Sequence, residues 1–249
     1  MRPFSFALIT AAVLSAIACQ PAALAADPIG KVVAIVGAPS ASGPGGDRNL
    51  KAGAAVYEDD KIEVSNGNAQ IILADGTRLV IGPGSTLVLD RFLMTGGGTA
   101  EKVSIKALRG TFRFITGRSA KTAYDIQTAN ATIGIRGTGF DFWSQKQTGV
   151  AVLEGSVKLC RDDKCVDLHE GCELGRTTAD ESDKLEGRLK GRLIVNNLPY
   201  ILNQDSLRTA FRLPIKDCSA SISRDRDRRG GGGDGNLPEL GTQRDPRNF

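Results

Sequence analysis

The sequence is nearly devoid of histidine, which is the commonest general base and metal ligand in enzymes. Its single histidine, His169, has no Gly-x-Ser-x-Gly motif elsewhere in the chain that would mark a nucleophile elbow. The adjacent carboxylates Asp162 and Asp163 do not form an acid–base pair in an extended chain, because neighbouring side chains there point to opposite faces. We therefore predict no catalytic residue, no metal site and no cofactor.

Aromatic residues are also scarce, at 5% of the chain, whereas glycine is frequent, at 30 residues. This composition favours short strands and turns over long helices. The net charge is only +4, and the basic residues are interleaved with acidic ones instead of forming a stripe with stacking aromatics. We therefore predict an all-β protein with no nucleic-acid partner.

Only one stretch of the chain is long and uncharged. It runs from Phe4 to Ala26 and ends in the small-x-small sequence Ala23-Leu24-Ala25. This pattern is typical of a signal peptide that is removed on export, so residues 1–25 are predicted to direct the protein to the periplasm or the medium. No transmembrane helix is expected after cleavage. An uncleaved membrane anchor and a lipoprotein modified at Cys19 are the alternatives.

Four cysteines remain after residue 25, and export to an oxidising compartment predicts that they form disulfides. They are Cys160, Cys165, Cys172 and Cys218. Four cysteines allow three connectivities. Residues 159–166 resemble a hairpin with a polar tip, which would place Cys160 opposite Cys165 and leave Cys172 to pair with Cys218. A zinc site is the alternative, although the spacing lacks a Cys-x-x-Cys pair.

A repeated local pattern predicts a β domain over residues 27–178. Each unit is a glycine, then Ser, Thr or Asn, then alternating apolar residues, and the units begin at Gly67, Gly76, Gly84, Gly110, Gly137 and Gly155. We predict a turn and a half-buried strand for each unit. The close spacing leaves no room for crossover helices. A compact β-sandwich, roll or solenoid is expected.

The segments outside these strands differ in composition. Residues 38–49 are small, polar and rich in glycine and proline, and are predicted to form a loop. Residues 179–218 are predicted to be a linker and an extension, with a short helix that begins at Asp205 as its N-cap. Residues 219–249 contain few apolar residues and are predicted to be a disordered tail.

The order of several motifs resembles the FecR domain family over residues 30–175. The motifs are Asp75-Gly76-Thr77 before a strand, Ile135-Arg136-Gly137-Thr138-Gly139-Phe140, and Glu154-Gly155-Ser156-Val157. The resemblance implies an extracytoplasmic all-β module similar to a small β-solenoid or roll, and an antiparallel β-sandwich is the alternative. The named member of the family is a membrane-spanning regulator that receives an iron-transport signal and controls a sigma factor. Because only three residues precede the uncharged run, we expect this chain to resemble the stand-alone secreted members instead.

These features predict a non-enzymatic module that binds an unidentified protein partner in the bacterial envelope or acts there in signalling. Arg136 is a candidate to bind a partner carboxylate, and its alternative is a purely structural role in a bend. Trp143, the only tryptophan, is a candidate to stack on a sugar ring. This second candidate supports the alternative function of a glycan-binding or peptidoglycan-binding module. Its structural alternative is a place at the edge of the core.

Overall fold

A computed structural model describes residues 26–218 of the protein. The predicted signal peptide, with Cys19, and the predicted tail from residue 219 lie outside the described residues. The strands are β1 (Pro28–Val36), β2 (Ser40–Ser42), β3 (Arg48–Asn49), β4 (Ala55–Tyr57), β5 (Lys61–Val64), β6 (Asn68–Leu73), β7 (Arg78–Ile81), β8 (Ser85–Thr95), β9 (Thr99–Ile115), β10 (Tyr124–Thr128), β11 (Thr132–Ser144), β12 (Thr148–Arg161), β13 (Lys164–His169), β14 (Glu173–Thr177) and β15 (Ser182–Leu185). The helices are α1 (Gly187–Asn197) and α2 (Pro199–Leu202), and 3-10 turns occupy Lys121–Ala123 and Thr209–Phe211.

All of these strands belong to one hydrogen-bonded sheet with a barrel-like closure, so the prediction of an all-β fold of many short strands is confirmed. The main path through the sheet is β15-β14-β12-β11-β10-β9-β7-β6-β1-β4. Within this path, β9 and β10 run parallel to each other. The loop predicted over residues 38–49 is wrong in part. Its ends form β2 and β3, which pair with each other, and β2 also pairs with β5.

The three longest strands, β9, β11 and β12, carry a glycine of the repeat in their interior. The turn predicted before each strand is therefore wrong at Gly110, Gly137 and Gly155, whereas the first three glycines of the repeat do precede new strands. Gly110 has a φ of 111°, and a Cβ there would approach the Ser85 Cα to 2.4 Å. The resulting irregularity divides β9 into one part that pairs with β8 and β10 and another that pairs with β7 and β11.

Inside the closed sheet, alternate residues of β9 and β11 supply a row of aromatic rings. Phe112 stacks on Phe142 with ring centroids 5.0 Å apart, and Phe114 stacks on Phe140 at 5.5 Å. All four rings are buried. The period of two along each strand places them on one face, as the alternation of the sequence predicts.

The outer face of the sheet is covered by the C-terminal part of the described chain. The predicted linker is wrong, because β15 pairs with β14 and α1 and α2 pack on the sheet. Ile194 of α1, Leu198 between the helices and Ile201 of α2 join Trp143 and Leu174 in an apolar cluster. We call residues 182–218 the C-terminal layer. It makes the fold two layers thick on this side.

The short helix predicted to begin at Asp205 is also wrong. The Asp205 N–H donates to Asn203 Oδ1 at 2.6 Å, and this local bond forms a turn instead of a helix cap. The helices lie earlier in the chain, where Leu198 ends α1 ahead of Pro199. A residue before proline disfavours the helical region, so the chain bends there and α2 starts in a new direction.

A buried arginine fastens the C-terminal layer to the sheet. The Arg113 guanidinium is fully buried and contacts the Asp141 carboxylate with two hydrogen bonds of 2.6 and 2.8 Å. It also donates to the carbonyl oxygens of Tyr200 and Phe211, each at 3.1 Å, and to Gln204 Oε1. All five of its N–H groups therefore have acceptors. We call these five residues the Arg113 network.

Both predicted disulfides are present. Cys160 pairs with Cys165 across the hairpin of β12 and β13, and Cys172 pairs with Cys218. The second bond joins residues 46 positions apart, and both of its cysteines are 1% exposed. It therefore links the end of the C-terminal layer covalently to the turn between β13 and β14.

Removal of one partner of the Arg113 network is expected to destabilise the protein strongly. Arg113→Met leaves the Asp141 carboxylate buried without a counter-charge, and a loss of about 3–5 kcal/mol in the free energy of unfolding is expected. Urea denaturation measures it. The control is Lys61→Met, which breaks the exposed pair with Glu63 and should change stability by less than about 1 kcal/mol. The double variant Arg113→Met/Asp141→Leu is expected to recover part of the lost free energy of unfolding. Equal losses in Arg113→Met and in the control would contradict this role of the Arg113 network.

Removal of the long-range disulfide is expected to cost about 2–4 kcal/mol of stability, because its loop is long and the bond restricts the unfolded chain. The variant is Cys172→Ser/Cys218→Ser, measured by urea denaturation against the unchanged protein. Cys160→Ser/Cys165→Ser is the matched control, since its loop spans only 5 positions and should contribute less. A larger loss in the control, or titration of four free thiols in the native protein, would show that this assignment is wrong.

Candidate functional site

A groove runs along the rim of the sheet where α1 and α2 meet the strand turns. It consists of two adjoining cavities of about 480 and 400 Å³, which share Pro83 and Pro199. We call it the rim groove. Its walls include Val36, Gly67, Pro83, Arg109, Thr111, Gln145, Val195, Asn196, Asn197, Pro199, Tyr200, Leu202, Asn203, Asp205 and Ser206.

The rim groove exposes an unusual share of apolar surface. Val36 is 45% exposed, and Val195 and Leu202 are each 47% exposed. These are three of the seven large apolar side chains that are exposed among residues 26–218. With Pro83 and Pro199 between them, they form a continuous apolar strip. Apolar strips that a monomer leaves uncovered are typical of surfaces that contact other molecules.

The rigid elements behind the strip fix its shape. The N–H of Leu198 donates to the Ile194 carbonyl at 2.9 Å and closes the last turn of α1, so Val195 projects from an ordered helix. The N–H of Asn203 donates to the Pro199 carbonyl at 2.9 Å and closes α2 beneath Leu202. Because these contacts exist without a partner, binding would cost little ordering entropy.

The polar groups of the rim groove are amides, hydroxyls and two charged side chains. Asn197 Nδ2 already donates to the Leu193 carbonyl, and Arg109 Nε donates to Thr86 Oγ1 at 3.3 Å. One cation, Arg109, and one anion, Asp205, border the groove at different cavities. Apart from these two side chains, the lining of the groove is apolar or uncharged and polar.

Two buried hydroxyls at the floor of the rim groove have no hydrogen-bond partner among the described residues. They are Thr111 Oγ1 and Tyr200 Oη. Burial raises the pKa of the Tyr200 hydroxyl well above its usual range, and the negative charge of Asp141 raises it further. The hydroxyl therefore stays protonated as a donor. An unpaired buried hydroxyl costs free energy, so this floor is a weak point of the fold.

The family motif around Asp75 has a structural role. The buried carboxylate accepts hydrogen bonds from the Thr77 N–H and hydroxyl at 2.9 Å each, from Ser119 at 2.7 Å and from Tyr124 at 3.0 Å. Burial raises the pKa of the Tyr124 hydroxyl, and the Asp75 charge contributes to that rise. The Asp-Gly-Thr sequence thus ties the β6–β7 turn to the start of β10.

The two residues that the sequence singled out for binding do not line the rim groove. Trp143 is only 3% exposed, because its ring lies over the backbone of Gly149 and joins the cluster beneath the C-terminal layer. Its predicted role in stacking on a sugar would need an exposed ring and stays a prediction. Arg136 is exposed on β11, beside the irregularity at Gly137. Its predicted role in binding a carboxylate stays a prediction.

The groove residues were missed because no single motif contains them. They come from β1, from β9, from the turns after β5, β7 and β11, and from the C-terminal layer, so only the folded chain brings them together. Between residues 26 and 218, no three His, Cys, Asp or Glu side chains are grouped so that they could hold a metal ion. No helix in the same range has the length and apolar character needed to span a membrane.

The hydroxyl of Tyr200 gives a testable stability prediction. Tyr200→Phe removes an unpartnered polar atom, so the free energy of unfolding at pH 7 is expected to rise by about 1 kcal/mol. Because the pKa of Tyr200 is raised in the folded protein, its ionisation above the unfolded value of about 10 favours the unfolded state, and stability declines as the pH rises. Tyr200→Phe should therefore weaken the decline of stability above pH 10.

The same substitution at Tyr124 is the matched control. Its hydroxyl donates to Asp75 and accepts from the Gly117 N–H at 2.9 Å, so Tyr124→Phe is expected to lower the free energy of unfolding by about 1–3 kcal/mol. Urea denaturation at pH 7 and above pH 10 measures both variants. Equal losses for both at pH 7 would contradict the assignment of Tyr200 as unpartnered.

Comparisons with known proteins agree with the motif order. Residues 60–158 match the sequence model of the family described as FecR protein. No curated protein sequence matches the chain significantly. Two crystal structures of a proposed anti-sigma factor from Parabacteroides distasonis are similar to it, with 19% and 17% identity and TM-scores of 0.41 and 0.39.

Both structural alignments cover 50% of this chain and 57% of the other protein, so the chain spans little more than half the length of those structures. The family match begins at the buried Asp60 and ends at Lys158 in β12, which places the C-terminal layer beyond it. The chain therefore contains a segment, residues 60–158, that matches the sequence model of the FecR protein family.

Proposed function

We propose that this FecR-domain protein is a non-enzymatic, extracytoplasmic module that binds a protein partner in the bacterial envelope, in signalling or regulation. The observation that carries the proposal is the strip of exposed apolar side chains at fixed positions in the rim groove. A strip on rigid elements favours contact with another folded chain or with an extended segment of one.

Two further observations support the proposal. The family match indicates a signalling or regulatory module, and the two disulfides suit an oxidising compartment, as the signal peptide predicted for residues 1–25 requires. The alternative function in glycan binding depended on an exposed Trp143. Because that ring is buried, no described observation favours this alternative.

The rim groove combines the family-matched segment with the part of the chain that lies beyond it. One wall comes from the turns after β5 and β7, and the turn after β7 lies inside the family match. The other wall comes from α1 and α2, which lie beyond residue 158. We infer that the shared domain supplies a common platform and that the C-terminal layer adds the specific contacts.

Site-specific photocrosslinking in cells tests the proposal. A photoreactive residue placed at Val195 is expected to yield a discrete adduct with an envelope protein, whereas one placed at Leu93 on β8 should not. Leu93 is a matched control because it is 44% exposed and lies outside the rim groove. Adducts at both positions, or general chaperones alone, would count against the proposal.

A substitution in the groove sharpens this test. Leu202→Glu is expected to reduce the Val195 adduct at least tenfold, because it places a charge in the apolar strip and costs more than about 1.4 kcal/mol of binding free energy. Leu93→Glu should leave the adduct unchanged. Both variants should keep the urea midpoint of the unchanged protein, since both side chains are exposed.

A further inference from the structure

The two disulfides of the protein occupy opposite environments. Cys172 and Cys218 are buried in the apolar cluster under the C-terminal layer. Cys165 is exposed and Cys160 is half-buried, near the tip of the β12–β13 hairpin. An external thiolate must reach a sulfur atom along the line of the disulfide, so access decides which of the two bonds can exchange in the native state.

The register of the hairpin leaves this first disulfide open to solvent. Cys160 and Cys165 are directly opposite, with Cα atoms 4.1 Å apart, and their neighbours Leu159 and Val166 form the next pair on the other face. Leu159 is fully buried, so alternation turns the disulfide away from the core. On the neighbouring strand β11, the residue beside Cys160 is Thr132, which is small and exposed.

The hairpin keeps other attachments that do not depend on the disulfide. Ser182 Oγ donates to the Lys164 carbonyl at 2.8 Å, and the Arg161 guanidinium donates to the Thr178 carbonyl at 2.8 Å. The ladder between β12 and β13 extends from the tip to Ser156 and His169. Opening of the disulfide therefore leaves the strands paired, and the two sulfur atoms stay close enough to re-form the bond.

We propose that Cys160–Cys165 is a site of reversible thiol–disulfide exchange, with Cys165 as the sulfur that an external thiolate attacks. The incoming thiolate forms a mixed disulfide with Cys165 Sγ, and the Cys160–Cys165 bond breaks as Cys160 leaves as a thiolate. A second external thiol, from another monothiol or from the same dithiol, then attacks the external sulfur of the mixed disulfide. Cys165 is released as a thiol, and the two external sulfur atoms form a disulfide. The protein gains two electrons and two protons, which the external dithiol, or two monothiols, supply.

Reduced glutathione at pH 8 is the probe that tests this site in the folded, full-length protein. After alkylation of free thiols, peptide mass spectrometry follows each cysteine with time. Cys160 and Cys165 are expected to become reduced at least about tenfold faster than Cys172 and Cys218. Rapid quenching with N-ethylmaleimide should recover an intermediate that carries glutathione on Cys165 and the alkyl group on Cys160.

Two controls separate native exchange from exchange through unfolding. In Cys172→Ser/Cys218→Ser the first disulfide should keep its rate within about twofold, because its exposure does not depend on the second bond. In urea above the unfolding midpoint the difference between the two disulfides should disappear. A thioredoxin-type dithiol protein with its resolving cysteine replaced by serine shows whether a protein thiol also reaches Cys165, by forming a stable mixed disulfide there.

Three results would overturn the proposal. They are equal rates for the two disulfides in the folded protein, glutathione attached to Cys160 instead of Cys165, and exchange of Cys160–Cys165 only in denaturant. A mixed disulfide with glutathione but none with the dithiol protein would support exchange with small thiols, and capture by both would extend it to protein thiols.

Discussion

The fold depends on one buried cation. Arg113 lies on the strand β9 between two core phenylalanines, and its guanidinium points to the opposite face, where a charge is tolerated only if every N–H finds an acceptor. Asp141 supplies the counter-charge from β11, and the C-terminal layer supplies the remaining acceptors. The sheet and the layer therefore require each other, and the rim groove exists only where the two meet.

Hydrogen bonds to the sheet also explain the path that the chain takes through the C-terminal layer. Side chains of the sheet also form hydrogen bonds with the main chain of the C-terminal layer at other points. The Gln70 side chain donates to the Ser206 carbonyl and accepts from the Arg208 N–H. The Arg78 guanidinium donates to the Ala210 carbonyl. Leu207 and Phe211, which follow Ser206 and Ala210 in the chain, are buried in an apolar cluster with Val80 and Tyr200. The position of α1 and α2, and so the shape of the apolar strip, follows from this framework.

Local patterns predicted the strands well because alternation and glycine-led turns act over a few residues. The burial of Arg113 and Trp143 could not be predicted in this way. In the sequence Phe112-Arg113-Phe114 the arginine occupies a position that usually faces solvent, and its covering acceptors at Tyr200 and Phe211 lie 87 and 98 residues further along the chain. Trp143 is hidden by the same layer, and the rim groove was missed for the same reason.

The C-terminal layer is an integral part of the fold and not an appended extension. Native-state hydrogen exchange of the full-length protein distinguishes these two cases. The amides of α1 near Ile194 are expected to exchange only with global unfolding, at the same opening free energy as the amides of β9 and β11. Exchange of α1 through a separate opening of much lower free energy, while β9 and β11 stay protected, would contradict this expectation.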